Sequence, residues 1–156
     1  MGAHGITIAE ECHIVNGLAP VDMGDVTKTS DYFSLKEYSH ASIIITKGAG
    51  SATTITLYES QTIGGTVEAT MAFDYYAETT AAGDTLGDRT AATTAGFAVS
   101  ANSGVMYSIE VDASQLTDTY PYLAVKATTA ATCLLAMTVI LSGTRYQKEN
   151  TNTAIT

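Results

Sequence analysis

The stretch that most constrains this chain is Thr132–Tyr146, TCLLAMTVILSGTRY, its most apolar run. With the side-chain period of a strand, Cys133, Leu135, Met137, Val139 and Leu141 share one face, and Leu134, Ala136, Thr138 and Ile140 share the other. Both faces are mostly apolar. A strand washed by solvent on one side alternates apolar with polar, so this one predicts cover on two sides, or on one side by another subunit. Gly143 and the β-branched content disfavour a buried helix. The run is too short to cross a bilayer as a helix, which needs about 20 apolar residues.

Other stretches supply partners for it. Tyr32–Lys36 places Phe33 and Leu35 on one side. Ala41–Thr46 carries Ile43-Ile44-Ile45, apolar on both faces, and Gly48-Ala49-Gly50-Ser51 reads as a turn into Thr53–Ser60, predicting a hairpin. Thr66–Asp74 alternates as one half-buried strand, with Val67, Ala69, Met71 and Phe73 on its apolar face. Phe97–Ser100 is a short strand, and Val105–Val111 alternates most cleanly, with Val105, Tyr107, Ile109 and Val111 inward. Asp112 can cap one helical turn through Leu116. Tyr120–Ala127 is a further strand, with Pro121 near its start. The 26 Thr and 23 Ala suit strand faces, and no window keeps helical apolar spacing beyond about 12 residues. At 156 residues the expectation is one all-β domain, a β-sandwich with a jelly roll as a candidate arrangement.

Three segments are expected: an extended N-terminal arm over 1–31, the sandwich over 32–146 and an irregular polar tail over 147–156. The arm mixes Ile6, Ile8, Ile14, Val15 and Leu18 with glycine breakers, and Pro20 biases Ala19 toward extended backbone. Ordered, it must lie along its own domain or a neighbour's. The start, MGAHGITIAEE, has no basic region followed by an apolar one, so no signal peptide is predicted. Met1-Gly2 with Ile6 fails the myristoylation pattern.

The chemistry-bearing residues are sparse. Formal net charge is −9, from 7 Lys+Arg against 16 Asp+Glu, and scattered basic residues do not make a phosphate-binding face. Acidity fits a basic partner surface or simply solubility. Cys12 and Cys133 are far apart, and Cys12-His13 has no second ligand pair at zinc spacing, so two free thiols are expected. Gly48–Ser51 lacks the Lys-Ser/Thr of a phosphate loop. Glu78, Asp84 and Asp88 match no calcium loop, and solvated loop acids are the simpler account. His4, His13 and His40 lie near no nucleophile elbow, although a triad can assemble in space. No catalytic residue, metal or cofactor is therefore predicted, and the chain is not expected to be an enzyme. The nine tyrosines fit a protein interface better than a sugar-binding platform.

Leu141-Ser142-Gly143-Thr144-Arg145-Tyr146, a small residue before Arg-Tyr after an apolar strand, resembles the ending of small structural proteins of tailed-bacteriophage virions. Asn16-Gly17-Leu18-Ala19-Pro20-Val21-Asp22, Asp31–Lys36 (DYFSLK), His40–Thr46 (HASIIIT) and Tyr107–Ala113 (YSIEVDA) agree, so the likeness runs in order over most of Asn16–Tyr146. It implies a virion protein. The all-β body, non-globular ends and missing catalytic constellation extend this to a capsid decoration or cement protein. Its expected partner is the major capsid protein and its expected state a homotrimer on the capsid surface, with neither nucleic acid nor membrane as partner. The anchors expected are Ile6, Ile8, Ile14, Val15 and Leu18 on the arm and Tyr75 and Tyr76 on the body. A tail or head–tail component, a carbohydrate- or host-binding module and a small hydrolase are the alternatives.

Overall fold

The computed structural model describes residues 5, 7–81, 83–129, 131–144, 154 and 155. Among them the chain forms twelve strands: β1 (His13–Asp22), β2 (Lys28–Thr29), β3 (Phe33–Ser34), β4 (Tyr38–Gly50), β5 (Thr53–Ser60), β6 (Glu68–Met71), β7 (Phe73–Glu78), β8 (Thr90–Ala92), β9 (Phe97–Ala98), β10 (Val105–Asp112), β11 (Tyr122–Thr129) and β12 (Cys133–Thr144). One helical turn, Ile8–Glu11, precedes β1, and a single 3-10 turn, Ala113–Gln115, follows β10. No helix among the described residues is long and apolar enough to cross a membrane.

The strands form two antiparallel sheets packed as a β-sandwich. The larger runs β1-β12-β4-β10-β7-β8 and the smaller β2-β11-β5-β6, with β3 also paired to β11 and β9 to β5. The core between them is built by period two. Cys133, Leu135, Met137, Val139 and Leu141 of β12 are at most 2% exposed, and they meet Ile55 and Leu57 of β5 and Leu123 and Val125 of β11 across the sandwich. Each such aliphatic side chain contributes roughly 1.5–3 kcal/mol when fully buried. β12 lies between β1 and β4, as its two-faced pattern requires.

Three expectations are corrected. The stretches 41–46 and 53–60 do not form a hairpin: β4 pairs with β10 and β12, and β5 pairs with β11, β6 and β9. The chain crosses between sheets after Gly50, whose φ of +114° only glycine adopts comfortably. Residues 66–74 are two strands, because the chain leaves the smaller sheet after Met71 and enters the larger at Phe73. The segment read as an arm is in large part sheet: His13–Asp22 pairs with β12 from Leu141 to Leu134 and lies along its own domain. Register shifts after Asn16 and Leu18, together with Pro20, make it a bent edge strand that resists further pairing.

Of the tail, residues 147–153 lie outside the described residues, but Ala154 is buried and its carbonyl accepts from the Ser34 N–H at 3.0 Å. Ile155 packs against the core. Cys12 and Cys133 are unbonded to each other. Burial raises the Cys133 thiol above its usual pKa, with Lys47 pulling the other way.

Candidate interaction face

The residue pattern of β12 left one question, namely what covers its second apolar face. Nothing in the described chain does so fully. Leu134 is 48% exposed, Ala136 and Ile140 are half-buried, and Thr138 is exposed. Register places neighbours beside them: Ile14 of β1 lies opposite Ile140, and Ile44 of β4 opposite Thr138. Thr46 lies opposite both Ala136 and Met106 of β10. Ile14 is 51% exposed, while Ile44 and Met106 are half-buried. The outer face of the larger sheet is thus an apolar stripe spaced by Thr and Ser.

The stripe grades into a charged cluster on the same face. The His40 ring contacts Asp112 from Nδ1 and Glu110 from Nε2, each at 2.8 Å. Ser42 donates to Glu110 at 2.6 Å, and Ser108 donates to its other oxygen. Arg89 pairs with Asp74 beside them. The cluster arises because β4 and β10 run antiparallel with His40 opposite Asp112 and Ser42 opposite Glu110. Burial lowers the pKa of His40, but its hydrogen bonds to Asp112 and Glu110 outweigh this and raise it above the usual imidazole value.

Ser42 Oγ also lies 3.3 Å from His40 Nε2, so Ser42, His40 and Asp112 follow the partner order of a hydrolytic triad. The chemistry fails on two counts. Glu110 occupies Nε2 and takes the serine proton, leaving no ring nitrogen to act as base. Mid-sheet backbone N–H groups on β4 belong to ladders on both sides, so they are not free to stabilise a developing oxyanion. The cluster is a clamp between strands.

Linkage then sets a sign. A raised folded pKa gives a stabilising term that is full below about pH 6.5, the unfolded value, and fades as pH rises through the higher folded value. Urea unfolding of His40→Gln against wild type is expected to show a deficit at pH 5.5 that shrinks by pH 8.5. A deficit constant with pH would mean that the clamp is not protonation-dependent.

The expected anchors separate. Ile8 is 45% exposed and Ile14 lies on the apolar stripe. Val15 is 3% exposed and Leu18 packs against the core, so both are used inside the sandwich. Tyr75 stacks on Phe97 at 4.0 Å between ring centroids and packs against the core, whereas Tyr76 is half-buried beside the His40 cluster. Ile6 and His4 lie outside the described residues. Leu134 and Ile140, which lie on the uncovered face, were not among the expected anchors, although their phase on β12 was the available signal.

Other candidates resolve into structural roles. Glu78 accepts backbone N–H bonds from Thr80 (2.6 Å) and Thr85 (3.1 Å), chiefly the first, which holds it below the usual carboxylate range. Asp84 and Asp88 are exposed, and among the described residues no three His, Cys, Asp or Glu gather as a metal site. On the smaller sheet, Lys126 lies over the Tyr58 ring at 4.0 Å and Lys36 over Tyr122 at 4.9 Å. Those ring faces are occupied by cations, which weakens them as sugar-stacking platforms. Lys126 and Tyr32 both bond Glu68, and burial with the Glu68 hydrogen bond drives the Tyr32 phenol strongly upward.

No protein-family model matches the chain, and no curated protein matches it. Among solved structures, the crystal structure of SPBc2 prophage-derived protein YomS is similar, at 11% identity over 85% of this chain and 94% of that one, with a TM-score of 0.49. A likeness at that level carries no inference about what this chain does.

Proposed function

We propose that this chain is a structural protein of a tailed-phage virion, and within the virion a decoration or cement protein. It docks on the outer surface of the major capsid protein lattice, as a homotrimer at local three-fold positions, and stabilises the head without catalysing a reaction. The observation that carries this reading is the uncovered apolar stripe on the larger sheet, centred on Ile14, Ile140, Ile44 and Leu134. An exposed apolar stripe of this kind, framed by polar groups, supports an interaction surface.

Two further points support it. The sequence motifs over Asn16–Tyr146 resemble those of virion structural proteins. The strand order β1-β12-β4-β10 facing β2-β11-β5-β6, with the β7–β8 pair added at one edge, supports reading the sandwich as a jelly roll. Jelly rolls serve viral capsids and lectins alike, so this is support by analogy of fold. The anchors differ from those the sequence offered. Docking uses the sheet face, with exposed Ile8 in the turn ahead of β1, and leaves Val15, Leu18 and Tyr75 to the core.

The test is co-sedimentation with cognate empty shells, alongside light scattering of the free protein. Wild type is expected to be trimeric and to bind shells. Ile140→Asp is expected to bind at least tenfold more weakly, the cost of desolvating one carboxylate in an apolar contact, while keeping its circular dichroism. Undiminished binding by Ile140→Asp would remove the face from the account. Failure of wild type to bind shells, with retention on tail structures or glycans, would transfer the protein to one of those classes.

A further inference from the structure

We infer that docking through the larger sheet's outer face is proton-linked, with His40 as the switch. This rests on the docking face proposed above and adds its regulation. The apolar stripe and the His40 cluster share that face without a break: Ile14, Ile140, Ser42, Glu110 and Asp74 form one cross-strand row over five strands. The next row toward the start of β4 is Ser142, His40 and Asp112. A partner broad enough to cover Ile140 and Ile44 therefore reaches Ser42 and Glu110.

The protonation state decides what such a partner must bury. The charged and titratable groups facing His40 are Glu110 and Asp112 from β10, Asp74 and Tyr76 from β7, and Arg89 ahead of β8, with Gln115 of the 3-10 turn closing the ring. Asp74 is paired to Arg89, so its charge is already balanced. Protonated, His40 donates to Glu110 and Asp112 together, and one positive charge is shared by two carboxylates. Neutral, it carries a single N–H. It then donates to one carboxylate only, and the other is left facing a ring nitrogen that is itself an acceptor. The cluster gains one net negative charge and a repulsive contact beside the apolar stripe. Covering it then means desolvating a carboxylate without a cation.

Docking is accordingly favoured below the folded pKa of His40 and takes up protons as pH rises toward it. Glu110 is tied down by Ser42 and Ser108 as well, so it cannot swing out to solvent at no cost when the imidazolium is lost. The linked change in affinity is bounded by the difference in His40 pKa between free and docked chain. A one-unit difference sets it at about tenfold.

The experiment has two arms. In the first, the isolated full chain is titrated by NMR, following the His40 ring. A His40 pKa above about 6.5 is expected, and a value at or below it overturns the inference whatever happens with shells. In the second, binding to cognate empty shells is measured from pH 5.5 to 8.5 for wild type, His40→Gln and Glu110→Gln. Wild type is expected to weaken about tenfold across that range, and His40→Gln to bind with a flat profile. Glu110→Gln, with one carboxylate fewer to neutralise, is expected to flatten it in part. Wild-type pH dependence retained in His40→Gln overturns the proton link while the docking face stands. A wild type that binds shells at no pH overturns the docking face, and the proton link with it.

Discussion

Replacing Lys47 by Met is expected to cost about 3 kcal/mol of stability or more, read as a lower urea midpoint with an unchanged slope. Lys47 is fully buried. Its Nζ lies within hydrogen-bond distance of four backbone carbonyls, those of Asn102 at 2.9 Å, Gly50 at 3.0 Å, Gly48 at 3.2 Å and Ala101 at 3.3 Å, which share its three N–H donors. Two belong to the end of β4, where the chain leaves for the smaller sheet, and two to the loop entering β10. The ammonium thus fastens that loop to the crossover. Methionine has similar bulk but no donor, so the carbonyls lose their charged partner. Lys47→Arg is expected to fall between the two, because a guanidinium keeps donors but not the compact geometry. A Lys47→Met chain as stable as wild type would show that the cage contributes nothing.

The second large effect is expected at Gly96, where Ala should destabilise by about 2–4 kcal/mol. Gly96 has φ +78°, and a Cβ there would overlap the carbonyl oxygen of Ile55, which is backbone and cannot rotate away. Its turn, closed by the Gly96 N–H to Thr93 carbonyl bond at 2.8 Å, delivers Phe97 to the core. There Phe97 stacks on Tyr75 and meets Tyr107 at 5.1 Å and Phe73 at 6.0 Å. Moving the turn would disturb all three ring contacts at once. Thermal melts of Gly96→Ala check this, and a midpoint equal to wild type would contradict the strain.

Much of the sandwich was legible because burial on a sheet leaves a period-two trace. β10 reads Val105, Tyr107, Ile109, Val111 inward in both sequence and structure, and β12 reads apolar on both faces because one face is core and the other is the uncovered stripe. What the pattern does not carry is which sheet a strand joins. The alternation of Thr53–Ser60 is satisfied equally by a hairpin with β4 or by a crossing to β11, and the crossing, taken after Gly50 at positive φ, leaves no mark in that alternation. β2, β3 and β9 are two residues long, too short to show any period. Val15 and Leu18 looked like loose anchors because β1 is irregular, its register shifting twice along β12.

The polar features were hidden for a different reason. Lys47 sits in phase with Ile43 and Ile45, which was the available sign that it points inward, yet its carbonyl partners have no side-chain signature. His40 lies 70 residues before Glu110 and 72 before Asp112 along the chain, and the β4–β10 register brings them together. Ala154 could not be read as buried, since a single alanine in a polar tail carries no pattern.

The central claim is that the larger sheet's outer face meets a capsid lattice. A cryo-electron microscopy reconstruction of cognate shells incubated with this protein tests it most directly. The account predicts density at local three-fold positions with β12, β4 and β1 turned toward the shell, and with Ile14, Ile140 and Leu134 covered. Shells without added density, or density with that face turned to solvent, would contradict it.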